Sequence, residues 1–225
     1  NGVIFDGTHL WVANSSSGTI SKIDVTTNTV IANITVGLLP FALAFDGSSI
    51  WVANAVSGTV SRVNTTTDTV IATINVGTEP AYLVFDGTNV WVANFVDESL
   101  TKINTSDNTV SATIPLGFVT YGIAFDGTSL WVANFGGNTI SKVNISTNEV
   151  TSTLAVGNNP MALAFDGTHL WVANTGSNTV SRVNPTTNTV NLNINVGIKP
   201  TAIAIEGTNI WVTNFDSNAV SKIRR

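Results

Sequence analysis

Phe45-Asp46-Gly47 and, four residues on, Trp51-Val52-Ala53-Asn54 decide the fold, because the chain writes this pair of motifs six times. Phe-Asp-Gly stands at 5–7, 45–47, 85–87, 125–127 and 165–167, with Ile205-Glu206-Gly207 as a weaker sixth copy. Trp-Val-Ala-Asn begins at Trp11, Trp51, Trp91, Trp131 and Trp171, and the series closes as Trp211-Val212-Thr213-Asn214. The period is 40 residues without insertion or deletion. A fixed period of this length marks a repeat architecture.

Outward from the motif, each copy reads as four short strands between turn signals. In the second copy strand A is expected at 41–46 and strand B at 50–54. Strand C follows at 59–63 and strand D at 70–76. Asp46-Gly47 turns A into B, since glycine accepts the positive φ of a tight hairpin. Pro80 opens the next copy, where a residue without an N–H suits a strand start. Four antiparallel strands per unit of about 40 residues are the signature of a propeller blade. The expectation is an all-β, six-bladed β-propeller, a single domain over 1–225. Its blades fall at about 1–37, 38–77, 78–117, 118–157, 158–197 and 198–225. Trp11, Trp51, Trp91, Trp131, Trp171 and Trp211 are read as residues packing one blade on the next. The last blade lacks its outermost strand, so its strand C edge is a template for another strand.

Composition narrows the function classes. Hydrophobic residues make up 43% of the 225, enough for a core, while charged residues are 10% and the net charge is −5. A nucleic-acid partner needs a basic patch, and none is expected. There are no cysteines, so thiol chemistry and disulfides are excluded. The longest apolar stretch, Val36 to Phe45, is interrupted by Gly37 and Pro40 and is too short to span a bilayer. The chain begins at Asn1 without a visible signal peptide, which reads as a processed product or an excised piece.

Trp211-Val212-Thr213-Asn214, followed by Ser221-Lys222-Ile223, resembles the Tyr-Val-Thr-Asn (YVTN) propeller repeats of archaeal and bacterial surface-layer proteins. Thr67-Asp68-Thr69-Val70-Ile71-Ala72-Thr73-Ile74 and Val76-Gly77-Thr78-Glu79-Pro80 continue the likeness, which covers essentially the whole chain. Tryptophan stands throughout for the family's tyrosine, and Phe-Asp-Gly for its usual Pro-Asp-Gly. The resemblance implies an extracellular or cell-surface location. More distantly, the repeats resemble those of streptogramin lyase-like and NHL propellers; the streptogramin lyases depend on a histidine at the working face.

Most ionisable residues read as scaffold. His9 and His169, the only histidines, share the A–B turn slot filled elsewhere by Ser49, Asn89, Ser129 and Asn209. That turn opens on the face opposite a propeller's working loops. Asp6, Asp46, Asp86, Asp126, Asp166 and Glu206 are turn acids spread around the circumference, so no metal site is expected. Lys22, Arg62, Lys102, Lys142, Arg182 and Lys222 share one strand C position and are expected to pair with those acids. Asn14 and its five equivalents end strand B, where a short amide holds the following turn; a ligand-binding ring is the alternative. Sequons at Asn64, Asn104 and Asn144 lie in the C–D turn, with others at Asn14 and Asn33.

The copies differ in the D–A and B–C loops, which open on one face. The candidate partner-binding residues are therefore Leu38, Leu39, Phe41, Phe95, Phe118, Tyr121, Phe135, Met161 and Phe215. Function is expected to be non-enzymatic, without catalytic residues or cofactor: an extracellular surface or assembly module, an adhesion-type repeat protein. It would bind a protein or glycan through these loops, or self-associate by strand donation at the last blade. The alternatives are a propeller enzyme of the streptogramin lyase type and a small-ligand sensor.

Overall fold

A computed structural model describes residues 2–225. The chain is a six-bladed β-propeller of antiparallel sheets, five with four strands and the last with three. It divides into two compact units, Asn1–Pro115 and Leu116–Arg225, of three blades each.

In the first unit, blade 1 is β1 (Val3–Phe5), β2 (His9–Asn14), β3 (Thr19–Asp24) and β4 (Thr29–Thr35). Blade 2 is β5 (Pro40–Phe45), β6 (Ser49–Asn54), β7 (Thr59–Asn64) and β8 (Thr69–Asn75). Blade 3 is β9 (Pro80–Phe85), β10 (Asn89–Asn94), β11 (Ser99–Asn104) and β12 (Thr109–Pro115). In the second unit, blade 4 is β13 (Thr120–Phe125), β14 (Ser129–Asn134), β15 (Thr139–Asn144) and β16 (Glu149–Ala155). Blade 5 is β17 (Pro160–Phe165), β18 (Leu170–Asn174), β19 (Thr179–Asn184) and β20 (Thr189–Asn195). Blade 6 is β21 (Pro200–Glu206), β22 (Asn209–Asn214) and β23 (Ala219–Arg224). Each strand pairs with its chain neighbours. In blade 2 the bounds differ from the sequence reading by one residue: strand A starts at Pro40 and ends at Phe45, because the Asp46 carboxylate is drawn into the turn.

Burial follows strand position. All six residues of β6 are buried, as befits a strand covered on both faces, whereas most of the outer β8 is exposed and carries threonine and asparagine. In the first unit Trp11 packs with Leu43, Ile50, Val52 and Val63 of the following blade, and Trp51 with Leu83, Val90, Val92 and Ile103. In the second, Trp131 packs with Leu170, Val172 and Val183, and Trp171 with Ile210 and Val212. Trp11, Trp51, Trp91 and Trp131 are fully buried and Trp171 nearly so, while Trp211 is only half-buried.

Two turns explain two residue preferences. In the A–B turn Asp46 Oδ1 accepts the N–H groups of Ser48 and Ser49, at 2.8 and 2.6 Å, around Gly47 at φ 94°. The C–D turn ends in a left-handed residue, Asp68 at φ 55° and Asn28, Asn108, Asn148 and Asn188 in the other four-stranded blades. Short polar side chains tolerate that region best. The Glu206 copy departs: β21 runs on to Glu206, which pairs with Asn209 across a tighter hairpin, and Gly207 sits at φ 55°.

Candidate active site

Once the scaffold is satisfied, few repeated polar groups are left for chemistry. The turn acids serve tryptophan: Asp6, Asp46, Asp86, Asp126 and Asp166 each accept the indole N–H five residues on, at 2.6–2.9 Å. Glu206 does so at 3.2 Å. The basic residue of strand C lies over its own blade's indole, at 5.1 Å for Lys22, 4.8 Å for Arg62 and 5.1 Å for Lys142. From there it reaches the C–D turn of the next blade. Lys22 Nζ donates to the Thr65 carbonyl and to Asp68 Oδ1, both at 2.8 Å. Arg62 donates to the Thr105 carbonyl and Asn108 Oδ1, and Lys142 to the Pro185 carbonyl and Asn188 Oδ1. The expected pairing with turn acids holds for Arg62, 3.2 Å from Asp46 Oδ2. Of the shorter lysines, Lys22 pairs instead with the Asp68 carboxylate of the next blade's C–D turn and Lys142 meets the Asn188 amide oxygen, each beside a backbone carbonyl.

The asparagines ending strand B are engaged through their amide nitrogens, while the Oδ1 atoms of Asn134, Asn174 and Asn214 are buried without a hydrogen-bond partner. Asn54 accepts from Gly37 N at 3.1 Å and donates to Thr59 and Ser61 hydroxyls at 3.1 and 2.9 Å. In the C–D sequons, Asn64 and Asn144 Oδ1 each cap two turn N–H groups and Asn104 Oδ1 caps one. Among the described residues no group of three or more His, Cys, Asp or Glu is placed to hold a metal ion.

The loop ends of the innermost strands are different. In blades 2 to 6 the pairing of strand A with strand B slips just after the opening residue. The slip spans Phe41 and Ala42 in β5, Ala81 in β9, Tyr121 and Gly122 in β13, Met161 in β17 and Thr201 in β21. Such a bulge bends the strand and re-aims side chains, a device found beside active sites. In the first unit Phe41 meets Tyr82 edge-on, with ring centroids 5.8 Å apart. In the second, Tyr121 meets Phe135 at 5.3 Å.

The variable loops are rigidly backed. The first B–C loop residue donates its N–H to a D–A loop carbonyl in each of these blades: Ala55 to Leu39, Phe95 to Glu79, Phe135 to Val119, Thr175 to Asn159 and Phe215 to Lys199, at 2.8–3.0 Å. Of the residues read as a partner face, Leu38, Leu39, Phe41 and Phe95 lie in the first unit. Phe118, Tyr121, Phe135, Met161 and Phe215 lie in the second. Phe41, Phe95, Tyr121, Phe135 and Met161 are half-buried, while Leu38 and Phe215 are more than 60% exposed. Phe215 lies under the Lys199 ammonium at 4.9 Å, and Phe118 lies against Gly137. Tyr82 was not singled out from sequence, although the chain has only two tyrosines and both fall in strand A.

The histidines stand at the A–B turns. His9 Nδ1 lies 3.6 Å from Asp6 Oδ2. His169 lines an open crevice of about 420 Å³ with Asp166, Thr168, Arg182 and Arg225. A crevice of about 540 Å³ recurs one blade earlier around Asp126, Lys142 and Pro185, so the feature belongs to the repeat. Burial works to raise the Asp166 carboxyl, but the N–H groups of His169, Trp171 and Thr168 and the charge of Arg225 outweigh it and hold the group below its usual value.

Solved structures carry the same architecture. A catalytically inactive virginiamycin B lyase from Staphylococcus aureus, solved with quinupristin, superposes with a TM-score of 0.85 at 16% identity, over 99% of this chain and 79% of that one. A streptogramin B lyase gives 0.84 at 17% identity, over 98% and 77%. The chain shares its fold with propeller lyases. Hydrazine synthase from Kuenenia stuttgartiensis matches with a TM-score of 0.67 at 17% identity, over 100% of this chain and 95% of that one. No family model matches, and no curated protein does.

These likenesses correct the expectation of a non-enzymatic surface, adhesion or assembly module. The named propellers that superpose on the chain are enzymes, and the shared fold is that of the lyase and hydrazine synthase propellers, not specifically that of surface-layer repeats. Catalysis was discounted because the sequence has no cysteine and both histidines fall on the face opposite the working loops. No weight was given to phenols on bulged strands. At 16–17% identity the likeness itself establishes fold.

Proposed function

We propose that the chain is a propeller enzyme of the lyase type, taking an amphipathic substrate with aromatic groups at the bulged loop ends of its innermost strands. One observation carries this reading: both tyrosines of the chain stand there, each against a phenylalanine, in a fold shared with lyases. Phe41 in the first unit and Phe135 in the second each offer a ring contact to an apolar group within their own unit, and aromatic pairs of this geometry add to area burial. A phenol is a competent general acid or base. In an elimination it can take the proton from carbon or protonate the departing oxygen as the double bond forms.

The finer assignment to the YVTN repeat type rests on Trp211–Asn214, and the extracellular location it implies belongs to the same proposal.

The test uses quinupristin as the probe, with turnover followed by mass spectrometry and binding by calorimetry. Tyr82→Phe and Tyr121→Phe keep the ring and remove the hydroxyl. At least one should lower turnover on the order of 10²-fold with affinity little changed. His9→Ala and His169→Ala should leave turnover intact. Full activity in both phenylalanine variants, or loss confined to His169→Ala, would move the chemistry away from the strand ends. Neither binding nor turnover by the unaltered protein would sink the lyase reading.

A further inference from the structure

Blade 4 departs from the repeat at its loop end, within residues 117–138 of the second unit. In blades 2, 3, 5 and 6 the D–A loop keeps one pattern. It opens on Gly37, Gly77, Gly157 or Gly197, packed so closely on the asparagine ending strand B that an added Cβ would lie 2.6–2.7 Å from it. The next residue donates its N–H to a B–C loop side chain, Ser57, Asp97, Ser177 or Ser217, at 2.6–2.8 Å. The third residue is left-handed: Leu39, Glu79, Asn159 and Lys199 hold φ of 51–59°.

Blade 4 keeps none of these features. Val119 stands in the left-handed slot, where a β-branched residue fits poorly, and Gly117 takes the positive φ instead, at 74°. Gly117 thereby leaves Asn134, with nothing within 4 Å of where its Cβ would be. Asn134 Oδ1 is buried without a partner; those of Asn174 and Asn214 are too, but their glycines stay beside them. Gly137 fills the serine or aspartate position and offers the Phe118 N–H no side-chain acceptor. The Phe118 ring takes that space, 2.7 Å from where a Cβ on Gly137 would sit.

The rebuilt loop holds aromatic groups in place. Phe135–Gly137 winds into the only 3-10 turn among the described residues. Asn159 Nδ2 donates to the Phe135 carbonyl at 3.2 Å, and Asn138 Oδ1 accepts the Asn159 N–H at 2.9 Å. The Phe135 N–H meets the Val119 carbonyl at 2.8 Å and ties the two loops together. A buried acceptor left unpaired costs stability, and local rules broken at such a cost point to function.

We propose that Phe118 is a specificity-determining residue: with Phe135 it forms a subsite for one aromatic ring of a peptide-like substrate. The Phe118 N–H, deprived of its usual side-chain acceptor, takes a carbonyl of the same substrate. What the subsite serves rests on the lyase reading; its existence rests on blade 4 alone.

The test returns blade 4 to the repeat. Gly137→Ser supplies the hydroxyl acceptor and displaces the Phe118 ring. Phe118→Leu removes the ring, and Phe118→Tyr keeps it. Binding is read by saturation-transfer NMR with N-acetylphenylalaninamide against N-acetylleucinamide. The unaltered protein and Phe118→Tyr should select the aromatic amide. Gly137→Ser and Phe118→Leu should weaken its binding about tenfold, with no fall in the urea midpoint of Gly137→Ser. With quinupristin, KM should rise about tenfold in both while kcat changes little, a split that a merely structural loop would not give. No selection of the aromatic amide, or full binding in both weakened variants, overturns the proposal whether or not quinupristin is turned over. Selective binding without quinupristin turnover supports the subsite and retires the lyase reading alone.

Discussion

At the scale of the residue, the indole–carboxylate pair is the repeat's main polar device. Asp126 accepts from Trp131 at 2.8 Å and from two turn N–H groups at 2.7–2.8 Å. Asp126→Ala should therefore cost about 2–3 kcal/mol, the value of hydrogen bonds to a charged group plus stranded donors, read from urea unfolding. Burial works to raise the carboxyls of Asp6, Asp46, Asp126 and Asp166, yet their hydrogen bonds hold all four below the usual value. The stabilisation is then fully present above the unfolded carboxyl value of about 3.9 and is lost as pH falls through the lower folded values. The urea midpoint should stay level down to about pH 5 and drop below about pH 4, and Asp126→Asn should remove part of that drop. Leu39 holds the left-handed region at φ 54°, which suits asparagine far better. Leu39→Asn should gain up to about 1 kcal/mol by thermal unfolding, and a loss would show that its side chain makes contacts worth more than the strain.

At the scale of the element, much was legible because turn chemistry and strand order repeat without an indel. Asp46-Gly47 marked the first turn, and the Asn64–Asp68 run the third, within a residue of their observed places. The strand A bulges were not legible: Pro40, Phe41 and Ala42 spell an ordinary strand start, and only the pairing slip from Pro40 to Leu43 reveals the re-aimed side chain. Nor does one copy of the sequence disclose that Lys22 docks on a turn 43 residues away. The candidate site was thus half visible. Tyr121, Phe41 and Phe135 were singled out as loop-face residues, while Tyr82 was passed over because one phenol among aliphatic residues carries no motif. Close packing of neighbouring innermost strands gives a prediction at this scale. A Cβ added to Gly122 of β13 would collide with the Met161 carbonyl of β17. Gly122→Ala should destabilise the fold by about 2 kcal/mol or more, measured by denaturant midpoint.

At the scale of the whole molecule, six near-identical blades form a built-in substitution series. Tryptophan to phenylalanine at 11, 51, 91, 131 and 171 removes a buried ring and a bond to aspartate, and each change should cost about 1–3 kcal/mol. Trp211→Phe should cost well under about 1 kcal/mol, because Trp211 is half-buried and its bond to Glu206 is long. Equal costs at all six positions, measured by chemical unfolding, would show that exposure does not set the scale.

The reach of Lys22 and Arg62 into the next blade's turn has a consequence for how such a chain changes length over generations. Each stabilising contact joins residues 43 and 46 apart, just beyond one period of 40. An unequal crossover that deletes or duplicates a whole period restores the same donor opposite the same acceptor. A gene of this kind can therefore gain or shed blades in one recombination step without leaving a broken seam, whereas a cut at any other spacing strands a cation and an indole at once.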